Sequence, residues 1–325
     1  MFLKNNINNL KNNLKTKLKT KLNIFEDSFY FDINYDFLIK NISLPVNQFN
    51  KSDINFLIKF KGKGHGFFSN FTHVILNLHI ANLYNFNPVI IFERNQSHYS
   101  EDSKIKGSYN YWDYYFIQDN FINKNSNLYI NSDINFPKKL FDNLYKNSEY
   151  FSKLIKKYIL IRPEIHEIVN EFIYKNFKNK YTIGLHWRGT DIRKAQRSNF
   201  VKNGNPGVTS LETISNYLDK SLAKHPNAFI FISTDEEANI DLLTSRYGKE
   251  KILFTNCLRS KDNSPIHLNY KNSRKLHNYY LGLEVLIDCM LLSSCNYLLG
   301  KRSNVFNAAL LIGEFQENKF SIIPD

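Results

Sequence analysis

The run Gly184-Leu185-His186-Trp187-Arg188-Gly189-Thr190-Asp191 follows the apolar stretch Tyr181-Thr182-Ile183. Histidine, arginine, glycine and aspartate therefore crowd one turn at the end of an expected strand. In open α/β sheets, ligands sit at the carboxyl ends of the strands. An arginine fork there, beside a glycine that admits close backbone approach, suits a bound phosphate. Arg188 supplies the fork, and His186 can donate to phosphate or ribose. Asp191 is either a structural partner of an arginine or a general base.

Three further loops follow expected strands and converge on the same cleft. The first, Gly62 to His73, is glycine-rich, and its glycines, Gly64 among them, permit positive φ and close ligand approach. The helix N-terminus behind them favours anions. It lacks the G-K-[ST] ending of a P-loop. Asn70 and His73 lie one helical turn apart, suited to a sugar hydroxyl or, alternatively, to capping and core packing. In the second, Ser233-Thr234-Asp235-Glu236, the carboxylate of Asp235 matches the paired N–H donors of a guanine edge. The same four residues also read as helix-capping chemistry. In the third, Gly300-Lys301-Arg302-Ser303-Asn304-Val305, Ser303 and Asn304 open a helix and form either a phosphate cradle or a plain cap.

The elements that position these loops alternate. Residues 55–60 read as a strand, 67–84 as a helix and 88–92 as a strand, a βαβ unit. Residues 93–136 are aromatic and irregular, with Trp112 and several tyrosines, and read as long loops over a cleft or as buried packing. Helical patterns cover 138–158 and 164–177, with Pro163 in the first turn of the latter. Strands follow at 181–186, 228–233, 251–254 and 297–299. Helices follow at 209–224, with Thr209 or Ser210 as cap, at 236–247, closed by Gly248, at 274–295 and at 304–313. Two βα-repeating halves with a cleft between them are expected.

Residues 1–23 stand apart as a basic tail rich in asparagine and lysine. Leu10, Leu14, Leu18 and Leu22 recur at spacing four among lysines. As a helix this segment could lie on an anionic membrane surface; a frayed tail or a partner-docking helix fits as well. The net charge of +13 admits nucleic acid, a membrane surface or a phosphate-bearing substrate as partner. Nucleic acid is disfavoured, because zinc-finger spacing and ribonucleoprotein aromatic motifs are missing. Cys257, Cys289 and Cys295 form no C-x-x-C pair and suit buried thiols in a reducing compartment. With no apolar run of spanning length and no signal-peptide core, the expected location is the cytoplasm, either free or peripheral at the inner membrane face.

Taken in order, the loops resemble the GT-B fucosyltransferase superfamily, which includes α1,6-, α1,2-, protein O- and nodulation fucosyltransferases. I-G-L-H-W-R-G-T-D is similar to its H-x-R-R-[GT]-D motif, and F-I-F-I-S-T-D-E to its second motif. Residues 283–305 resemble the third, and Gly66-Phe67-Phe68-Ser69-Asn70 is a looser match to the N-terminal G-x-F-[GS]-N element.

The resemblance implies an α/β, GT-B-like fold of two Rossmann-like βαβ domains facing a cleft. Residues 24–162 would form the acceptor-side domain and 163–325 the GDP-sugar-binding domain. It implies inverting transfer from GDP-fucose, or another GDP-sugar, to a hydroxyl of a glycan or glycoconjugate, without metal or resident cofactor. By position Arg188 would bind the β-phosphate and His186 the nucleotide. Asp235, with Thr234 beside it, would read the guanine, and Ser303 and Asn304 would hold the diphosphate. Two departures matter. The motif's second arginine is Gly189 here, so its charge falls to Arg193 or Arg302. The carboxylate proposed as base in the α1,6 branch falls near Gln196, which leaves Asp191 as candidate base, or Asn70 orienting the acceptor with no base. A GDP-mannose or heptosyl transferase, a sulfotransferase, and a non-catalytic glycan- or nucleic-acid-binding scaffold are the alternatives.

Overall fold

A computed structural model describes residues 54–59, 65–92, 94, 97–118, 128–132, 144–189, 209–261, 266 and 274–324. The tail 1–23, Gly64, Asp191, Arg193 and Gln196 lie outside the described residues. The described elements belong to one compact unit, Asn50–Asp325.

The first sheet is parallel throughout. β1 (Ile54–Lys59) lies between β2 (Asn87–Ile91) and β4 (Leu128–Ser132). Helix α1 (Phe67–Tyr84) makes the crossover from β1 to β2. Parallel neighbours require such a crossover, since a tight hairpin cannot reverse direction twice. α1 is buried on nearly every side, because it contacts β1 and β2 as well as α2 (Ser148–Tyr158) and α7 (Asn304–Ile312). Its apolar residues accordingly lack a one-sided stripe. It ends where Asn85 takes a left-handed conformation, φ 57°, as a C-terminal cap.

The second sheet holds β6 (Thr182–His186), β7 (Phe229–Ser233), β8 (Ile252–Leu253), β9 (Tyr297–Gly300) and β10 (Phe320–Ile322). Its order is β10-β9-β6-β7-β8, all parallel. Counted from β6, the chain steps outward through β7 and β8, then returns to the other side for β9 and β10. The order thus reverses between β6 and β9, the place where doubly wound sheets open a ligand crevice. Both sheets have the parallel α/β organisation expected from the alternating pattern.

Both faces of the second sheet are covered, which is why its strands read as continuous apolar runs. Ile183, Leu185, Ile230 and Ile232 pack with Ile214 and Leu218 of α4 (Leu211–Lys224) and with Ile240 and Leu243 of α5 (Glu237–Tyr247). On the opposite face, Phe231 meets Phe172 of α3 (Pro163–Asn176) at 5.7 Å and Phe177 just beyond it at 5.5 Å. A Cβ on Gly184 would come within 3.0 Å of Cys295 Sγ, so the end of α6 (His277–Ser293) sits hard against β6. Cys289 and Cys295 are buried free thiols, and Cys257 is a half-buried one. Ser210, not Thr209, caps α4, accepting from the Thr213 amide at 3.1 Å.

The aromatic region departs from a purely irregular reading. Leu128–Ser132 is a strand of the first sheet, and Phe116–Ile117 (β3) pairs antiparallel with Leu160–Ile161 (β5). Tyr111, Trp112, Tyr114, Tyr115 and Phe116 are fully buried, so these rings are core rather than a rim over a cleft. Among the described residues no helix is long and apolar enough to cross a membrane.

Candidate active site at the strand ends

Register brings three loops together. His186 pairs with Ser233 on one side and with Gly300 on the other, so β6, β7 and β9 end level. Every residue of β6 is buried, His186 included. Burial, and then the charge of Arg188, push the His186 imidazole down to about 3, so it is neutral at physiological pH. Its Nδ1 lies 3.3 Å from Ser303 Oγ. Ser303 caps α7 by accepting the Phe306 amide at 3.1 Å. Ser303 Oγ has two lone pairs and one proton, so it can accept the Phe306 amide and share a hydrogen bond with Nδ1 at the same time. Ser303 is therefore a cap and a partner of His186 at once. Gly300 permits this closeness, since a Cβ there would meet the Phe306 ring at 2.7 Å and the His186 carbonyl at 3.0 Å.

Arg188 is exposed at the same edge. The next residue, Gly189, donates its amide to Asp235 Oδ1 at 2.8 Å, which ties the loop after β6 to the loop after β7. Thr234 is largely spent on local structure: its Oγ1 accepts from Asn239 Nδ2 at 3.0 Å and from the Glu236 amide at 3.3 Å. α5 starts at Glu237, one residue later than the pattern suggests, with Glu236 as its cap position.

Glu236 explains the glycine at 189. Its side chain is fully buried, and a Cβ on Gly189 would lie 2.2 Å from its carboxyl carbon. Any side chain at 189 would thus run into this buried carboxylate. Sequence reasoning missed this residue, although a Glu directly after Thr234-Asp235 was visible as a capping signal. It also missed Asp288, whose signal was an acid inside the apolar helix 283–292. Asp288 accepts from Thr255 Oγ1 at 2.5 Å, and burial raises its carboxyl to about 6, against the opposing effect of hydrogen bonds from Thr255 and Ser233.

The first loop enters through α1. Thr72 Oγ1 lies 3.3 Å from Asn304 Oδ1, so the N-terminal turns of α1 and α7 adjoin. Asn70 is buried and gives its amide to Tyr111 Oη at 2.6 Å, while its own carbonyl oxygen has no hydrogen-bond partner. His73 is a core histidine, lowered to about 4 by burial, with Asn77 Nδ2 at 3.1 Å. His65 is exposed just before the cap residue Gly66, its Nδ1 3.5 Å from Ser69 Oγ. Arg302 is turned to Tyr145: its guanidinium lies 5.3 Å from the ring centre and 3.1 Å from the hydroxyl. The structure therefore gathers His186, Arg188, Asp235, Ser303 and Asn304 at one edge, with Thr72 of α1 beside them. Among the described residues no cluster of three or more His, Cys, Asp or Glu side chains could hold a metal ion.

No protein-family model and no curated protein matches the sequence. Similar solved structures include the fucosyltransferase NodZ from Bradyrhizobium, 15% identical over 79% of this chain and 92% of that one, with a TM-score of 0.48. POFUT1 in its apo-form is 9% identical over 85% and 99% of the two chains, with a TM-score of 0.43. A mutant of Arabidopsis thaliana FUT1 in complex with GDP is 12% identical over 86% and 75%, with a TM-score of 0.43.

Proposed function

We propose that this chain is an inverting glycosyltransferase that moves fucose, or a related sugar, from a GDP-sugar to a glycan or glycoconjugate hydroxyl. One observation carries the reading. His186, Ser233 and Gly300 end level at the sheet's reversal point, and the Arg188, Asp235 and Ser303 loops open from them. The ordered motifs of the sequence support the same conclusion. In this reading 163–325 binds the donor and 24–162 presents the acceptor.

The reaction forms one C–O bond, breaks another and moves one proton. The acceptor oxygen attacks the anomeric carbon as the bond to the β-phosphate oxygen breaks, and GDP departs with the electron pair. Negative charge grows on the β-phosphate. The Arg188 guanidinium and the N-terminal amides of α7 stabilise it, and preorganised donors of this kind are where most of the rate arises. His186 is neutral, so it contributes hydrogen bonding and no charge. Asp235 faces the nucleoside. The hydroxyl proton passes to a base, for which Asp191 remains a candidate.

Titration calorimetry against GDP, UDP, ADP and CDP tests the reading. GDP is expected to bind tightest, and equal affinity for all four refutes it. Arg188→Ala is expected to lose about 1.5–3 kcal/mol of charge-assisted bonding to the diphosphate, roughly 10- to 150-fold in Kd.

A further inference from the structure

Two of the helices around the site begin without a cap of their own. α1 follows Gly66 and α6 follows Leu276, and neither N-cap residue makes a side-chain bond. Neither has a side-chain oxygen to offer, and Leu276 is held in the left-handed region at φ 54°. The first turns of both helices are also free of acidic residues. The leading amides of a helix have no intrahelical acceptor, so their partners must come from elsewhere.

One loop supplies both helices. Tyr99-Ser100-Glu101 lies in the segment after β2. Tyr99 Oη accepts the amide of Phe67, the first residue of α1, at 2.8 Å. Two residues on, a Glu101 carboxyl oxygen accepts the amide of Tyr279 at 2.8 Å. Tyr279 is the third residue of α6, a position that an N-cap side chain ordinarily serves. The Ser100 carbonyl accepts from Asn278 Nδ2 at 2.8 Å. Further along, Tyr115 donates its hydroxyl to the Tyr279 carbonyl at 2.8 Å and stacks on that ring, centroids 5.6 Å apart. A Cβ on Gly282 would run into the Tyr115 hydroxyl, so this glycine lets Tyr115 lie against α6.

The two capped helices lead to opposite sides of the site. Thr72 of α1 touches Asn304 at the start of α7. α6 holds the loop after β8, since Asp288 accepts from Thr255 and Glu284 accepts the Leu258 amide at 3.3 Å. That loop in turn gives the Ser260 amide to the Asp235 carbonyl at 2.9 Å. We infer that Glu101 is a positioning residue of the transfer reaction. It caps α6 from the loop whose Tyr99 caps α1, and so fixes the acceptor-side helix against the donor-side loops. What is positioned rests on the GDP-sugar reading; the bracket itself rests on the bonds to Phe67 and Tyr279.

The test uses the full chain, with GDP-fucose as donor and water as acceptor, read as GDP release. Calorimetry of GDP binding and hydrogen exchange over 277–283 accompany it. Glu101→Ala is expected to slow turnover about 10-fold, because small misplacements of reacting groups are costly. GDP affinity should stay within about twofold, which separates positioning from nucleotide binding. Glu101→Gln keeps an oxygen that can accept the Tyr279 amide and should recover most of the rate. Tyr99→Phe, which frees the other end, should also slow turnover, and the double variant should lose less than the two single losses combined. Exchange over 277–283 should quicken in Glu101→Ala and recover in Glu101→Gln. Wild-type turnover in Glu101→Ala with a lowered melting temperature overturns the proposal, for Glu101 is then a plain cap. Equal losses in Glu101→Ala and Glu101→Gln overturn it too, as do fully additive losses in the double variant. Unchanged exchange in Glu101→Ala refutes the bracket without any ligand, whereas a wild-type chain with no preference for GDP refutes the transferase reading.

Discussion

Gly189→Ala is the sharpest probe of how the two central loops are joined. The new Cβ would stand 2.2 Å from the carboxyl carbon and Oε2 of Glu236, and 2.7 Å from its Cγ. One of two things must give. If Glu236 moves, a fully buried side chain is repacked, and overpacking of this kind costs about 1–3 kcal/mol. Its backbone offers little slack, because Glu237 donates to the Ser260 carbonyl at 3.0 Å and Ser260 to the Asp235 carbonyl at 2.9 Å. If Gly189 moves instead, its 2.8 Å bond to Asp235 breaks, at about 1.5–3 kcal/mol for a bond to a charged acceptor. Either route costs more than 1 kcal/mol, and the second also releases Asp235 from its place. Chemical denaturation should report a loss of about 1–3 kcal/mol, and calorimetry a GDP affinity weakened roughly 10-fold or more. Gly189→Ala combined with Glu236→Ala should be less damaging than the sum of the single changes, since the clash is removed. A single variant within 0.5 kcal/mol of wild type, with unchanged GDP affinity, refutes the steric argument.

Ser303→Ala should cost about 1 kcal/mol of stability through the lost cap and should weaken GDP binding through the loosened His186, read by melting and calorimetry. The pH dependence has a worked sign. His186 is lowered to about 3 and His73 and His79 to about 4, all by burial, so below the unfolded value of about 6.5 the unfolded chain binds protons that the folded chain refuses. Their contribution is present above about 6.5 and is lost as pH falls towards 4. Asp288, raised to about 6, and Asp113, also raised by burial, oppose them, two carboxyls against three imidazoles. The urea midpoint should be lower at pH 5 than at pH 7.5, and a higher midpoint at pH 5 contradicts the burial argument.

The sequence carried four of the second sheet's five strands almost to the residue, because a parallel sheet covered on both faces shows as unbroken apolar runs. α1 was equally legible, since an uninterrupted, largely apolar run of eighteen residues without Gly or Pro is too long for a buried strand. β10 escaped notice because it is a three-residue edge strand, and β4 because its sequence, LYINS, mixes apolar and polar residues. The polar loops were recognisable by type, but their wiring was not. That Ser303 joins a cap to His186, or that Glu236 fills the space beside Gly189, depends on residues 117 and 47 positions apart. No local pattern encodes such distances. Arg302 shows the limit from the other side: its position in the motif pointed to phosphate, whereas its guanidinium lies over Tyr145.

The level ending of β6, β7 and β9 has a consequence for how this site can vary. Neighbouring strands stand about 4.8 Å apart, a spacing set by backbone hydrogen bonds and blind to side chains. His186 and its partners Ser233 and Gly300 therefore form a comb of fixed pitch, about 10 Å across. Loops grafted onto its teeth can lengthen, shorten or change charge without altering the interval between them. Losing one residue from within β6 is a different kind of change. It would turn Leu185 and His186 to opposite faces, placing a ring meant for the crevice into the apolar layer. Substrate preference can drift through the loops, while the ruler against which the ligand is measured stays the same.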